Sequence, residues 1–341
     1  MRLNRFISLS IFASLMLVMA IVPVTAQDSE EVLTVYAGRG ESLLGPILTQ
    51  FSEETGVQLE ILYGDTAGLA SQIIEEGENS PADVYIAQDG GALGALAQAG
   101  LLDTLPSDVL ERVPAQFQSP DGVWVGLSGR ARVLVYNPAE LEALGLELPA
   151  SILDLTSDAY TGLVGWAPTN GSFQANVTAM RELLGDDATA EWLAGMVDNN
   201  AQFYSGNTGI NQAVIDGEVV LGITNHYYMF RFLADDPDAP IAQHFFPAGD
   251  AGSLINIAGG AILSSSDQAG LAQRLLLYLL GENAQGYFAD STFEYPMIDG
   301  IAINERLTPL SAIEAPDIDL SNLSDLQGTI DMIENSGALD G

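Results

Sequence analysis

The stretch GVWVGLSGRARVLVYNP, residues 122–138, contains two extended segments that are too close together to hold a crossover helix between them. On its N-terminal side, short apolar strands alternate with amphipathic helices in a βαβαβα pattern, which is typical of a parallel sheet. The alternation resumes on its C-terminal side, and a second extended stretch, LINIAGGAIL, occupies residues 254–263. The chain is therefore predicted to form two α/β halves connected by extended segments.

The N-terminal half shows this alternation most clearly. Its predicted strands are VLTVYAG (32–38), VQLEILYG (57–64) and ADVYIAQD (82–89). The helix between the first two strands ends at Gly56, and its apolar face is formed by Leu44, Ile47, Leu48 and Phe51. In the second half, FQANVTAMRELLG predicts a helix with an apolar face of Phe173, Val177, Met180 and Leu184.

Residues 1–26 have the features of a secretory signal peptide. Arg2 and Arg5 form a basic start, an apolar core follows, and Ala26 ends a small-residue cleavage site. An uncleaved membrane anchor is the alternative, disfavoured because the apolar run is short for a bilayer span. We expect a periplasmic or extracellular protein of about 315 residues, and since the chain has no cysteine, no disulfide or lipid-modified cysteine.

The chain is strongly acidic. It has 46 Asp and Glu against 10 basic residues, all of them Arg, for a net charge of −36. Nucleic acid and anionic membrane surfaces are therefore poor partners. A cation is a plausible cargo for so acidic a chain, but a solubility adaptation to salty surroundings, or a genome that avoids Lys codons, also explains the charge. The sequence also lacks HExxH, the P-loop lysine and the G-x-S-x-G elbow, which argues against the corresponding enzyme classes.

Two adjacent tyrosines, Tyr227 and Tyr228, follow the apolar strand pattern EVVLGITN, residues 218–225. Thr224 or Asn225 is a plausible helix N-cap, so both tyrosines are predicted in the first helical turn at the carboxyl end of a strand. In open α/β sheets ligands bind at that end. Phenolate oxygens suit a hard, highly charged cation. The alternative is that two aromatic rings merely cover a lobe surface.

Two further features point to an anion. The stretch PTNGSFQ, residues 168–174, predicts a polar turn that opens a helix, where Asn170, Ser172 and backbone N–H groups could hold an oxyanion. Arg130 and Arg132 lie one residue apart on extended chain, so both are expected on one face, able to bind a carbonate- or phosphate-like group. The alternatives are an ordinary capping turn and ion pairs with some of the many acids.

Two α/β halves in an exported chain of this size indicate a two-lobed binding protein with its ligand in the cleft between lobes. The extended stretches 123–136 and 254–263 are the predicted crossovers and suggest a hinge that closes on the ligand. We predict an N-terminal lobe of residues 32–130 plus 257–308, and a C-terminal lobe of residues 131–256 plus 309–341.

The chain resembles the ferric-ion-binding proteins of ABC importers, within the class II periplasmic binding proteins. The resemblance rests on the order and spacing of several stretches across most of the mature chain: LTVYAGRGE, SPADVYIAQDGGAL, GLLDTLP, DGVWVGLSGRARVLVYN, GWAPTNGSFQANVTAM, NHYYMFRF and FEYPMIDGI. It implies a two-lobed fold in which each lobe is a mostly parallel sheet flanked by helices, and in which two extended hinge segments join the lobes.

The resemblance also implies roles for individual residues. Tyr227 and Tyr228 match the paired tyrosine ligands of ferric ion. The anion-holding positions match Asn170, Gly171 and Ser172 in the turn, Arg132 or Arg130 on the extended segment, and Asn207 and Asn225, which sit where some members place asparagines.

The chain departs from the family pattern in its N-terminal lobe. Many members have His, or His-Tyr, where this chain has Gly40 and Glu41, and some have a glutamate ligand where it has Gln88. Others add a tyrosine where Phe173 cannot bind metal. Glu41, with Gln88 or the adjacent Asp89, is a candidate substitute.

The predicted function is that of an exported, non-catalytic, monomeric carrier. It would bind Fe3+ with a synergistic anion, carbonate or phosphate, and deliver the ion to an ABC transporter permease. One alternative is an oxyanion or small organic-anion carrier that uses the same turn and arginines without metal. Another is a secreted carbohydrate-active enzyme with a carboxylate pair in its cleft.

Overall fold

A computed structural model describes residues 32–339 of the chain. The predicted signal peptide, residues 1–26, lies outside the described residues. No helix within residues 32–339 is both long enough and apolar enough to cross a bilayer.

The elements follow the predicted alternation of strands and helices. The strands are β1 (Val32–Ala37), β2 (Gln58–Tyr63), β3 (Val84–Ala87), β4 (Val125–Tyr136), β5 (Val164–Trp166), β6 (Gln202–Phe203), β7 (Leu221–Asn225), β8 (Ala242–His244), β9 (Ile255–Ile262) and β10 (Tyr295–Pro296). The helices are α1 (Glu41–Thr55), α2 (Thr66–Glu76), α3 (Gly90–Gln98), α4 (Ser107–Leu110), α5 (Pro138–Leu144), α6 (Gly171–Leu184), α7 (Asp186–Asp198), α8 (Asn207–Asp216), α9 (His226–Asp235), α10 (Ala269–Leu279), α11 (Glu282–Ser291) and α12 (Leu326–Asn335).

The strands form a mixed sheet in the order β2-β1-β3-β9-β4-β7-β5-β6. Strands β2, β1 and β3 are parallel to one another, and so are β7, β5 and β6. Between these two parallel groups, β9 and β4 run antiparallel to each other and to their outer neighbours. The two α/β halves therefore meet at a pair of long antiparallel strands.

Strand β4 is continuous, whereas the sequence suggested two extended segments in this stretch. Its first part, Val125 to Ala131, pairs with β9, and its second part, from Arg132, pairs with β7. A register shift between Gly126 and Ser128 interrupts the pairing with β9. Such an irregularity increases the local twist, which lets one strand serve both halves without a turn.

The predicted apolar faces form the core with one exception. Helix α1 buries the four residues of its predicted stripe, and α6 buries Phe173, Val177 and Met180. Leu184, which was expected on the same face of α6, is 40% exposed. It is the last residue of the helix, where the chain turns at Gly185 towards α7.

The C-terminal segment contacts both halves of the molecule. A 3₁₀ turn, Leu320–Ser324, packs against α3, and both Leu320 and Leu323 are buried. The following helix α12 lies on α6, where the Thr178 and Thr329 hydroxyls are 2.8 Å apart. The predicted lobe boundaries remain a prediction.

Candidate functional site

A cavity of about 650 Å³ opens beside the long central strands. It is lined by segments that directly follow the carboxyl ends of β1, β3, β5 and β7, as expected for a ligand site in an α/β sheet. Ten of the predicted site residues line it: Gln88, Asp89, Arg130, Arg132, Asn170, Gly171, Ser172, Asn225, Tyr227 and Tyr228.

The tyrosine pair lies in the first turn of α9, as the sequence predicted. Tyr227 is buried and Tyr228 is half-buried, with ring centroids 4.5 Å apart and ring planes at 28°. The guanidinium of Arg231, one turn later, lies 4.9 Å from the Tyr227 ring centroid and 5.1 Å from that of Tyr228. The stack and this cation–π contact hold the two rings side by side on the cavity wall.

The charge state of Tyr227 follows from its surroundings. Burial raises the pKa of Tyr227 above its ordinary value, and the neighbouring phenol of Tyr228 raises it further, while Arg130 acts in the opposite direction. Tyr227 is therefore a neutral phenol at pH 7, and its ionisation requires a strong positive charge nearby.

His226 begins α9 but has a structural role. Its Nδ1 accepts a hydrogen bond from the Ala131 N–H at 3.1 Å, and its Nε2–H donates to the Phe293 carbonyl at 2.7 Å. Burial lowers the pKa of His226 to about 4, so the ring is neutral, in agreement with these two bonds. The ring ties the start of α9 to the central strand.

Arg132 lines the cavity on the side formed by the C-terminal half, where it donates hydrogen bonds to two neighbouring side chains. Its Nη1 donates to Asn225 Oδ1 at 3.0 Å and to Ser172 Oγ at 3.3 Å. Its Nε and Nη2 are buried without a partner. Burial lowers the pKa of Arg132 to about 10, which still leaves it charged at pH 7. Unpaired buried N–H groups on a cation indicate that the wall is built to receive an anion.

Asn225 caps α9 only through its backbone. Its backbone is extended and its side chain makes no capping hydrogen bond, because that side chain accepts from Arg132 instead. Helix α9 therefore begins without the side-chain cap that the sequence suggested. The Asn225 side chain instead lines the cavity and accepts from Arg132.

The predicted turn before α6 is joined to this cluster. Asn170 is the N-cap of α6, and its Oδ1 accepts from the Ser172 N–H at 3.1 Å and from the Ser172 hydroxyl at 2.6 Å. Asn207, at the start of α8, does not line the cavity but donates to Ser172 Oγ at 3.2 Å. Its own Oδ1 is buried without a partner. Hydrogen bonds thus join five residues into one polar cluster: Arg132, Asn170, Ser172, Asn207 and Asn225.

Arg130 lines the cavity with Arg132, as alternation along a strand predicts. Its Nη2 donates to the carbonyls of Gln88 and, at 3.0 Å, of Ile257. Its Nε and Nη1 are buried without a partner. The two arginines therefore present four unpaired N–H-bearing nitrogens in and behind the cavity wall.

The N-terminal side of the cavity is organised by a residue that the sequence analysis did not select. Arg39 follows β1 and donates to both Glu294 oxygens at 2.8 Å. Its Nε donates to Gln88 Oε1 at 3.1 Å. Although burial alone would raise it, Arg39 and Arg130 hold the pKa of Glu294 below its usual value. The scarcity of arginine, together with a position directly after the first strand, was the available signal.

The other predicted N-terminal ligands lie in different places. Glu41 is the exposed first residue of α1 and does not line the cavity. Asp89 lines it and caps α3, where its Oδ1 accepts from the Ala92 N–H at 3.0 Å. Within residues 32–339, no three His, Asp or Glu side chains form a cluster that could hold a metal ion.

Phe173 points away from the cavity and does not line it. Its ring packs at 5.7 Å, edge to face, on Trp166 and at 6.3 Å on Trp192. It is a core residue of the C-terminal half.

Comparisons with known proteins agree with this architecture. A sequence model of the bacterial extracellular solute-binding protein family matches residues 47–313. The Fe(3+)-binding periplasmic protein of Serratia marcescens is 31% identical over 317 residues, which cover 92% of this chain and 93% of that protein.

Two solved structures have the same fold. Iron-bound HitA from Pseudomonas aeruginosa superposes with a TM-score of 0.83 at 32% identity, covering 90% of this chain and 99% of that one. The Trichodesmium protein IdiA (FutA), in complex with iron and citrate, gives a TM-score of 0.77 at 26% identity, with 90% and 99% coverage. The predicted two-lobed periplasmic-binding fold and the family resemblance are confirmed, and the relatives are binding proteins, not enzymes. The chain belongs to the bacterial extracellular solute-binding protein family.

Proposed function

We propose that the protein captures ferric ion in this cavity through Tyr227 and Tyr228, together with a small anion, and delivers it to an ABC transporter permease. The observation that carries the proposal is the juxtaposition of the stacked phenols with the unpaired Nε and Nη2 of Arg132 in one cavity. The names of relatives that bind ferric iron support the same cargo.

The electrostatics of the site favour loading of cation and anion together. A trivalent cation cannot be desolvated in a cleft without negative partners. Tyr227 is neutral in the empty site, so the ion must displace its proton before the phenolate can bind. The anion, held by Arg132 and by the turn of Asn170, Gly171 and Ser172, then offsets the remaining charge.

A second candidate is an anion carrier that binds no metal. It is favoured by the four unpaired nitrogens of Arg130 and Arg132, which would suit an oxyanion without any cation present. The two functions differ in what they require of the phenols, since only a ferric ion needs both phenolates.

Visible spectroscopy separates the two candidates, because ferric phenolate absorbs visible light. Purified protein is titrated with ferric salt in carbonate or phosphate buffer, beside the double variant Tyr227→Phe/Tyr228→Phe. We expect a visible band in the parent and none in the variant. A colourless parent that still binds carbonate or phosphate would favour the anion carrier.

Export to the periplasm, release to a permease and a monomeric state complete the proposal. Relatives named as periplasmic proteins support the location. Size-exclusion chromatography coupled to light scattering tests the monomer, and reconstituted import with the cognate permease tests delivery.

A further inference from the structure

We propose that Arg231 is a positioning residue for ferric binding, which acts on the two phenol ligands from outside the cavity. Its guanidinium holds Tyr228 in the stack with Tyr227, and its charge stabilises both rings once they are phenolates. This inference rests on the proposed function and adds to it a residue that does not contact the cargo.

Helical spacing brings Arg231 to the tyrosine pair. It lies four residues after Tyr227 and three after Tyr228 in α9, and side chains at these spacings are neighbours on a helix surface. The guanidinium carbon of Arg231 is 4.9 Å from one ring centroid and 5.1 Å from the other, while the two centroids are 4.5 Å apart. Because these distances are nearly equal, one cation contacts both rings together.

Arg231 contacts the two rings rather than a carboxylate. It is exposed, the chain has 46 acidic residues, and Asp235 lies one turn further along the same helix. Within residues 32–339, however, its side chain takes part in no ion pair and no hydrogen bond. The tyrosine rings are therefore the partner that the structure gives to this guanidinium.

The ring of Tyr228 depends on this contact more than the ring of Tyr227 does. Tyr227 is buried, and its ring also packs edge to face on His226 at 5.7 Å. Tyr228 is only half-buried, and its ring contacts in the described part of the chain are with Tyr227 and Arg231. Arg231 is therefore the second contact that keeps the Tyr228 ring from turning towards solvent.

The charge of Arg231 favours the loaded site. A cation attracts the face of a neutral aromatic ring, and it attracts a phenolate more strongly because the ring then carries negative charge. Both tyrosines line the cavity whereas Arg231 does not, so its guanidinium contacts the ligands without facing the ion. Since the ferric ion is bound together with an anion, repulsion between the ion and this guanidinium is largely cancelled. What remains is the attraction to two phenolates that otherwise repel each other.

The test compares three variants in ferric titrations at one fixed concentration of carbonate. Arg231→Gln removes the charge, Arg231→Lys keeps it, and Arg306→Gln removes an equal charge from an exposed arginine outside the cavity. Arg, Lys and Gln have similar helix propensities, so α9 itself is little perturbed. We expect Arg231→Gln to bind ferric ion about three- to tenfold more weakly, Arg231→Lys to recover most of the loss, and Arg306→Gln to match the parent.

The position of the visible band gives a readout that a loss of packing alone does not move in this way. A positive charge beside a phenolate lowers the energy of its electrons, so charge transfer from the ring to ferric ion requires more energy. Arg231→Gln should therefore shift the band to longer wavelength, whereas Arg231→Lys should leave it near the parental position. The slope of affinity against pH should stay parental in both variants, since both phenols are retained.

The outcomes separate this inference from the function on which it rests. If the parent shows a ferric band and Arg231→Gln has equal or tighter affinity with an unchanged band, the role of Arg231 is overturned and ferric capture stands. Equal losses in Arg231→Gln and Arg231→Lys, or an equal loss in Arg306→Gln, would overturn it too, because the effect would not come from a charge at the rings. A parent without any ferric band would refute the proposed function, and this inference with it.

Discussion

Replacing Tyr227 with phenylalanine should halve the number of phenol protons that ferric ion displaces. The ring of Tyr227 is 3% exposed and stacks on Tyr228 at 4.5 Å, so phenylalanine preserves the packing and removes only the hydroxyl. We expect the free energy of unfolding to change by no more than about 1 kcal/mol. The effect of the substitution is therefore confined to metal binding.

The magnitude follows from proton linkage. Burial raises the pKa of Tyr227, so at every pH below that value a proton competes with the ion, and affinity increases as pH rises. Each displaced proton adds about one unit to the slope of the logarithm of the apparent binding constant against pH. We expect the slope of Tyr227→Phe or Tyr228→Phe to be about one unit smaller than that of the parent in the same anion buffer.

The assay is competition with a chelator whose own protonation constants are known, followed by the visible band between about pH 6 and pH 8. Tyr160→Phe is the matched control, because Tyr160 is also buried but lies outside the cavity, where its hydroxyl donates to the Glu147 carbonyl at 2.9 Å. It should keep the parental slope. A parental slope that survives in both single variants would refute the phenolate assignment.

Three further substitutions test the packing and the ion pair around the cavity. Gly91→Ala should lower the free energy of unfolding by about 1–3 kcal/mol, measured in urea, because a Cβ there overlaps the Leu323 carbonyl oxygen. Glu294→Gln should cost about 3–5 kcal/mol at neutral pH, since it leaves Arg39 buried without its counter-charge. Because the pKa of Glu294 is lowered in the folded protein, this difference should shrink as pH falls below about 4. Phe173→Tyr should reduce stability by about 1–3 kcal/mol and add nothing to the ferric absorbance, because the ring faces the core.

Each of these has a clear contrary result. Gly270→Ala is the control for the first, since a Cβ there meets no atom within 4 Å, and equal effects of the two alanines would contradict the steric argument. For the ion pair, an exposed substitution such as Glu282→Gln should be nearly neutral, and a comparable loss there would remove the special role of Glu294. For Phe173→Tyr, a stronger visible band would show that the new hydroxyl reaches the metal.

Local patterns were sufficient for the element order and for the C-terminal half of the site. The turn of Asn170, Gly171 and Ser172 opens α6, and Tyr227 and Tyr228 open α9, because strand ends, caps and turn residues are short-range features. Alternation along β4 also placed Arg130 and Arg132 on the same cavity.

The N-terminal side of the site could not be found in this way. Arg39 and Glu294 are 255 residues apart in the sequence, and nothing local to either indicates the pair. Glu41 was a candidate because its carboxylate is an oxygen donor. It lies at the exposed start of α1, however, and does not line the cavity.

By itself, the sequence determined which elements form and which residue types stand at the strand ends, since these follow from side-chain periodicity and capping. Only the tertiary structure decided which hydrogen-bonding groups of the cavity already have a partner. Gln88 accepts a hydrogen bond from Arg39, whereas Nε and Nη2 of Arg132 are buried without a partner. Whether a polar group has a hydrogen-bond partner depends on residues that the whole fold brings together. The groups left without a partner determine where a ligand can still bind.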